Sequence, residues 1–220
     1  MIKEITIAGI KLYNYSVIEN ISQIAKNLES NVFTTIEEVH MKTMLLAKED
    51  ESVKDVLESV DITVIAEAGV LEAVGQATIL RRAEIERREF FFQLMRFLER
   101  NGYTIYVLGQ EQEEVANACQ YIADEFPRIE LAGSNALSEI DGEEDGVVND
   151  INMVAPDVVI SVLPSPLQEH FLKEYRSMFL TKIWYGVGAG KISGYKLTFG
   201  ARIMKMIRQK MLKNYVKETN

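Results

Sequence analysis

The stretch PDVVISVLPSPLQEHFL, residues 156–172, decides the fold of this chain, together with KIWYGVGAG at residues 182–190. The apolar run 156–163 predicts a buried strand, because it is short, uninterrupted and bounded by turn-forming residues. Pro166 suits the first turn of a helix, which we expect to run over residues 167–179. The KIWYGVG segment predicts another strand. Continuous apolar strands that alternate with helices are typical of a parallel sheet.

The same alternation of strand and helix extends towards the amino terminus. Apolar runs predict strands, and apolar residues spaced by three and four predict helices. The strands are expected at residues 5–8, 11–13, 31–35, 62–66, 104–108 and 129–132, and the helices at 17–28, 37–47, 52–60, 84–100, 113–126 and 147–153. We therefore predict an α/β protein with a mainly parallel, Rossmann-like sheet, helices on both faces and two closely packed lobes.

The charge of the chain is uneven. Of its 24 Lys and Arg residues, eight lie between Lys191 and Asn220, where Glu218 is the only acid. The formal net charge of −9 therefore combines an acidic body with a basic tail. An acidic body repels the phosphates of nucleic acids, whereas a basic tail is attracted to an anionic surface.

Domain organisation follows from these patterns. We expect residues 1–195 to form a single α/β domain with lobes of about 1–102 and 103–195, followed by a basic amphipathic helix over 196–220. On a helical wheel of residues 197–216, most apolar side chains fall on one arc and most cations on the other. This pattern is typical of a helix that lies on an anionic membrane surface, and equally of one that packs its apolar arc on the body.

Composition excludes several classes of site. The one cysteine, Cys119, rules out an intramolecular disulfide framework, and the two histidines, His40 and His170, are too few for a His-rich metal site. The amino terminus lacks the features of a signal peptide, and no stretch approaches the roughly 18 apolar residues of a membrane span. We therefore expect a cytoplasmic protein that lacks a Cys-rich or His-rich metal site, and we expect no bound cofactor.

Ligands of open parallel sheets bind at the carboxyl ends of the strands. The residues predicted to lie there are Thr34, Thr35, Glu67, Gly109, Gly133, Gln168 and Glu169. A glycine after a strand lets the backbone approach a ligand, and it frees the next helix amino terminus to hold phosphate. A lone glycine is more often explained by a tight turn between strand and helix, and the chain contains neither GxGxxG nor a Walker loop.

Two of these positions carry specific chemistry. Glu67 follows the apolar strand DITVIA and is a candidate general base, although spacing alone favours a helix cap or a surface acid. Gln168 offers both a donor and an acceptor, which suit a sugar or a uracil edge. The alternative is that Gln168 and Glu169 only begin a helix, with Glu169 opposing its dipole.

The two stretches quoted first resemble the signature region of the WecG/TagA/CpsF family of bacterial glycosyltransferases. That family has a strand with an Asp, a Pro-Lys-Gln-Glu turn that leads into a helix, and a Val-Gly-Val-Gly strand. The matching residues here are Asp157, Pro166, Gln168 and Glu169, with Leu167 in place of the Lys. Upstream segments follow in the family's order, so the resemblance covers about residues 2–195.

The chain departs from the family pattern at several motifs, so it resembles a divergent member. In the Thr-x-Asn motif, Thr34 matches the Thr and Ile36 replaces the Asn. Glu67-Ala68 occupies the position of an Asp-Gly pair, and Arg81 or Arg82 corresponds to the Arg that follows it. Lys191-Ile192 replaces a Phe-Asp pair. The Arg-Ala-Pro motif of the C-terminal segment is missing.

The resemblance implies a specific reaction. It implies transfer of an N-acetylhexosamine from a UDP-sugar to an undecaprenyl-diphosphate-linked acceptor in cell-envelope polysaccharide synthesis, without a bound metal and with Glu67 as general base. The residues expected to bind substrate are Thr34, Thr35, Arg82, Gly109, Gly133, Gln168, Glu169 and Gly188. It also implies that residues 197–216 meet the inner face of the plasma membrane. The alternatives are a non-catalytic relative that binds a nucleotide-sugar or a protein partner, and a generic nucleotide-binding protein. Each of these functions is compatible with a homo-oligomer.

Overall fold

A computed structural model describes residues 4–139, 145–192 and 199–219 of the chain; the side chains of Asp145 and of residues 199–202 lie outside the description. The strands are β1 (Glu4–Ile7), β2 (Ile10–Tyr13), β3 (Thr34–Val39), β4 (Ile62–Ile65), β5 (Thr104–Gly109), β6 (Glu130–Ala136), β7 (Val158–Ser161) and β8 (Ile183–Gly186). The helices are α1 (Val17–Glu29), α2 (Met41–Leu46), α3 (Glu51–Ser59), α4 (Ala68–Glu72), α5 (Ile79–Glu86), α6 (Glu89–Asn101), α7 (Gln112–Glu125), α8 (Asp145–Val154), α9 (Leu167–Tyr175) and α10 (Phe199–Thr219).

The main sheet has six strands in the order β4-β3-β8-β7-β5-β6, and every neighbouring pair is parallel. The strand β8, late in the chain, lies between β3 and β7 and so joins the strands of the two halves of the chain. The carboxyl ends of β4, β3 and β8 are therefore adjacent at one edge of the sheet. The α/β, Rossmann-like fold predicted from the sequence is confirmed.

The sheet is covered on both faces. Side chains alternate along β5, so that Ile105 and Val107 pack against α1, α6 and α7, whereas Tyr106 and Leu108 pack against α3, α8 and α9. Burial on both faces explains why β5, β7 and β8 are mainly continuous apolar runs rather than alternating ones.

The strand β3 differs most from the prediction. A helix was expected from Glu37, but the strand continues to Val39 and the helix begins only at Met41. The carboxylates in this buried strand have distant partners: Trp184 and Gln168 donate to Glu37, and the Tyr185 hydroxyl donates to Glu38. Tertiary hydrogen bonds thus outweigh the helical preference of two adjacent glutamates.

Two other boundaries are also corrected. The helix expected over residues 84–100 is two helices, α5 and α6, which meet at Arg88 in a left-handed backbone conformation with φ 52°. The strand expected over residues 129–132 continues to Ala136.

The amino-terminal hairpin and the C-terminal helix pack together. The strands β1 and β2 form an antiparallel pair, and Leu212 and Val216 of α10 are buried in the cluster that contains them and α2. Other apolar side chains of α10 remain exposed, namely Ile203, Met204, Met206, Ile207 and Met211. Among the described residues, no helix has both the length and the apolar character needed to cross a bilayer.

Candidate active site

A cleft of about 460 Å³ opens at the edge of the sheet where β3, β4 and β8 end. Helices α5 and α6 and the segment after β8 complete its walls. Its polar and charged lining includes Glu38, His40, Glu67, Arg81, Arg88 and Lys191. Open parallel sheets bind their ligands at this position, so the cleft is the candidate active site.

Glu67 lies in this cleft, at the end of β4 and immediately before α4. Its carboxylate accepts a long hydrogen bond from the Met41 backbone N–H at 3.4 Å. The Nδ1 of His40 lies 3.5 Å from Glu67 Oε1, and the Nζ of Lys191 lies 3.8 Å from the same oxygen. Within the described structure the carboxylate caps no N–H of α4, although Glu67 occupies the capping position. The geometry therefore directs the side chain towards the cleft rather than the helix.

The surroundings of Glu67 stabilise its charge. Burial raises the pKa of the carboxyl, but the His40 imidazole, the Lys191 ammonium and the Met41 N–H outweigh burial and lower it from 4.5 to about 2. The Glu67 side chain is 18% exposed, so a ligand in the cleft can reach it. Glu67 is thus an accessible anion at every physiological pH.

His40 is a site residue that the sequence reasoning missed. It follows β3, and its Nε2 lies 3.3 Å from the Val187 carbonyl and 3.6 Å from Glu38 Oε2. The imidazole is almost fully buried, between the ends of β3, β4 and β8. No local pattern marks His40, because the preceding strand, TTIEEV, is not an apolar run and was predicted to end four residues too early.

The structure distinguishes between Arg81 and Arg82. The Arg81 side chain is 6% exposed, lines the cleft, and donates to Asn14 Oδ1 and to Glu84. The Arg82 side chain is 46% exposed and pairs with Glu72 outside the cleft. The expectation that Arg82 lies in the site is therefore wrong in position, and Arg81 takes its place.

Gln168 and Glu169 lie at the start of α9 and are both buried. The Nε2 of Gln168 donates to Glu37 Oε2 at 2.6 Å, and Glu169 accepts from the Ser165 hydroxyl at 2.6 Å. Among the described residues, Gln168 Oε1 and Glu169 Oε2 have no hydrogen-bond partner. Neither residue lines the cleft itself, so the pair forms part of its support.

Two of the buried carboxyls have raised pKa values. Burial, together with the charge of Glu169, raises the pKa of Glu37 well above its usual value, against the lowering effect of Trp184 and Gln168. Burial also raises the pKa of Glu169. Glu37 and Glu169 therefore contrast with Glu67, whose pKa is lowered.

Thr34 and Thr35 lie at the amino end of β3, so their predicted placement at the carboxyl ends of the strands is wrong. Thr34 Oγ1 donates to the Val32 carbonyl and accepts from Asn27. The hydroxyl and the backbone N–H of Thr35 donate to Asp61. The early strand boundary in the prediction caused this error, because it moved the strand end by four residues.

The three glycines have different positions. Gly109 ends β5 at the carboxyl edge, where a Cβ would come within 2.6 Å of the Val115 side chain. Gly188 follows β8 with φ +87° and lies beside His40 and Lys191, which line the cleft. Gly133 lies inside β6 against the Tyr106 ring, so its predicted place in a strand-to-helix turn is wrong.

The described residues contain no group of three or more His, Cys, Asp or Glu side chains arranged to hold a metal ion. The charged groups of the cleft are instead suited to hydrogen bonding, proton transfer and the binding of anionic ligands.

Comparison with known proteins agrees with this geometry. An N-acetylglucosaminyldiphosphoundecaprenol N-acetyl-beta-D-mannosaminyltransferase of Bacillus subtilis (strain 168) is 24% identical over 191 residues, which cover 83% of this chain and 71% of that enzyme. Proteins of the same name from Bacillus spizizenii and Staphylococcus aureus are 26% and 28% identical over 107 and 101 residues, or 49% and 46% of this chain and 41% and 39% of theirs. The sequence profile of the glycosyl transferase WecG/TagA/CpsF family matches residues 5–191. The chain therefore belongs to the WecG/TagA/CpsF family of glycosyltransferases, as its motifs predicted.

Proposed function

We propose that the protein transfers an N-acetylhexosamine from a UDP-sugar to a lipid-diphosphate-linked sugar, with Glu67 as the general base. The observation that carries the proposal is the Glu67 carboxylate, which is ionised, exposed to the cleft and held by His40 and Lys191. The names of the three relatives support the acceptor class, since each specifies transfer of N-acetylmannosamine to N-acetylglucosaminyldiphosphoundecaprenol.

The proposed step is a displacement at the anomeric carbon of the donor sugar. The acceptor hydroxyl oxygen forms the new bond to that carbon, the bond to the diphosphate breaks, and UDP leaves with the electron pair. Glu67 accepts the proton of the acceptor hydroxyl. Because its pKa is about 2, the carboxylate is a weak base towards a free hydroxyl, and proton transfer becomes favourable only as the new bond forms.

The donor diphosphate requires positive charge and close backbone approach. We place it beside Lys191 and Arg88, which line the cleft together with Gly190. Gly188 lies beside His40 and Lys191, and Gly109 ends β5, two strands away from β8, at the same edge of the sheet. Gln168 and Glu169 are buried at the start of α9 and do not line the cleft, and Thr34 and Thr35 lie at the opposite edge and have no part in the proposed site.

The membrane is the proposed place of action, because the acceptor of the relatives is a lipid. Ile203, Met204, Ile207 and Met211 form an exposed apolar strip along one face of α10. Lysines on the same helix would meet anionic headgroups, so the structure supports peripheral binding to the inner face of the plasma membrane. Docking of Leu212 and Val216 on the body would hold the strip at the protein surface.

The test is a transfer assay with UDP-N-acetylhexosamines and a short-chain lipid-diphosphate-linked acceptor. We expect Glu67→Gln to lower turnover by roughly 10²- to 10⁴-fold while the affinity for UDP, measured by titration calorimetry, stays near that of the wild type. Glu67→Asp restores the family's usual residue and should retain part of the activity.

Glu51→Gln is the matched control, because Glu51 is an exposed glutamate at the start of α3, outside the cleft. Equal turnover in wild type and Glu67→Gln would reject Glu67 as the base. Binding of UDP without turnover for any donor and acceptor would favour a non-catalytic nucleotide-sugar-binding protein.

A further inference from the structure

An apolar groove of about 620 Å³ runs between α1 and α5. Both helices pack against α6, and small side chains between them leave the space open. Those small residues are Ser22, Ala25 and Ala83. Ile18 and Leu80 line the groove and are 81% and 65% exposed, so the groove presents large apolar groups to solvent. Exposed apolar surface of this kind marks an interaction site.

The groove is continuous with the candidate active site. Val17, Glu84 and Glu89 line both the groove and the cleft. From Val17 the groove follows one face of α1 to Ala25, which is about 12 Å along a helix. A ligand whose polar head lies in the cleft can therefore continue into the groove past Val17, with Glu84 and Glu89 beside the passage.

We propose that this groove receives the first isoprene units of the polyprenyl chain on the acceptor lipid. The inference rests on the proposed function, in which the acceptor sugar and its diphosphate lie in the cleft. A polyprenyl chain is bonded directly to that diphosphate, so an apolar path must begin at the rim of the cleft. Such a chain is narrow and has no hydrogen-bonding group, which matches the apolar side chains of Ile18, Ile21 and Leu80 and the small residues between the helices.

The first test measures binding without turnover. Titration calorimetry compares isopentenyl diphosphate, with one isoprene unit, and farnesyl diphosphate, with three. We expect the wild type to bind farnesyl diphosphate at least tenfold more tightly, because its two additional isoprene units are transferred from water into the groove. Ile18→Glu and Leu80→Glu should lose most of that difference and leave the affinity for isopentenyl diphosphate unchanged.

These variants are expected to fold. Ile18 and Leu80 are exposed and each is the second residue of its helix, where an acidic side chain interacts favourably with the helix dipole. Ile79→Glu is the matched control, because Ile79 precedes Leu80, is 91% exposed and does not line the groove. It should bind both diphosphates as the wild type does.

The second test separates the groove from the proposed reaction. With acceptors that share one sugar-diphosphate head, we expect a lower KM for longer chains. In Leu80→Glu the KM should rise only for the long chains, with kcat unchanged. Chain-length-dependent binding that Leu80→Glu removes, without any transfer, supports the groove and rejects the proposed function.

Three results would overturn the groove proposal. The first is equal affinity for the two diphosphates, and the second is a chain-length effect that Ile18→Glu and Leu80→Glu leave intact. The third is that these variants have a lower mass in solution than the wild type, while the dependence of binding on chain length is unchanged. That result would assign the groove to contact between two copies of the chain.

Discussion

At the scale of single residues, the pair of His40 and Glu67 determines the chemistry of the cleft. The two side chains come from the ends of adjacent parallel strands, β3 and β4, and lie 3.5 Å apart. Burial opposes the charge on Glu67, and the imidazole and Lys191 overcome that effect. Loss of His40 should therefore have a larger effect on the pKa of Glu67 than on the position of β3.

We predict that His40→Gln raises the pKa of Glu67 from about 2 towards its usual range, by more than about one unit. Carbon-detected NMR titration of the Glu67 carboxyl measures the shift. His170→Gln is the control, since His170 is bonded to Asp50 away from the cleft. A pKa of Glu67 that is unchanged in His40→Gln would show that Lys191 and the Met41 N–H suffice.

The same pair affects stability. Folding lowers the pKa of Glu67 from 4.5 to about 2, so the ionised carboxylate stabilises the folded state above pH 4.5, and this contribution is lost as the pH falls towards 2. A shift of that size corresponds to about 3 kcal/mol at most. The free energy of unfolding of His40→Gln should consequently fall less between pH 5 and pH 3 than that of the wild type, as measured in urea.

At the scale of elements, α10 has two parts with different environments. Leu212 and Val216 are buried against the amino-terminal hairpin and α2, whereas Met204 and Met206 are exposed. The interpretation that the helix packs on the body therefore describes part of it, and binding to a membrane stays a prediction. The C-terminal part of α10 is docked on the body, and the preceding turns present apolar side chains to solvent.

We predict that Leu212→Ala lowers the free energy of unfolding by about 2–4 kcal/mol, because it removes a fully buried side chain and leaves a cavity. Met206→Ala should change it by less than about 0.5 kcal/mol, since the side chain is exposed. Urea denaturation of the two variants makes the comparison. Similar losses in both would mean that Met206 also packs on the body.

At the scale of the whole molecule, the body is acidic and the C-terminal tail is basic. The chain has a net charge of −9, although its last 30 residues are strongly basic. The body should be repelled by an anionic membrane and the tail attracted to it, so the molecule would bind such a surface in one orientation.

We predict that the protein co-sediments with anionic vesicles and not with neutral ones, and that added salt weakens the binding. Lys210→Glu and Lys213→Glu together should reduce binding roughly tenfold or more, at about 1 kcal/mol for each lysine near the surface. Lys26→Glu with Lys54→Glu, on the body, is the matched control. Equal binding by both double variants would exclude α10 as the membrane contact.

The sequence by itself determined the class of fold and the family. The apolar runs at residues 104–108 and 156–163 are buried on both faces, so local hydrophobicity alone identified them as parallel strands. Glu67 was placed correctly for the same reason, because it follows directly after a short apolar strand. Features that depend on residues close in the sequence could thus be predicted from the sequence.

Only the tertiary structure decided how the site is assembled. Glu37 and Glu38 resemble helix residues, and their place in β3 depends on Trp184, Gln168 and Tyr185, which are more than a hundred residues away. That strand boundary placed His40 at the carboxyl edge and Thr34 at the opposite edge. A buried carboxylate is stable in a strand only when distant donors satisfy it, and pairings across the sheet leave no local pattern in the sequence.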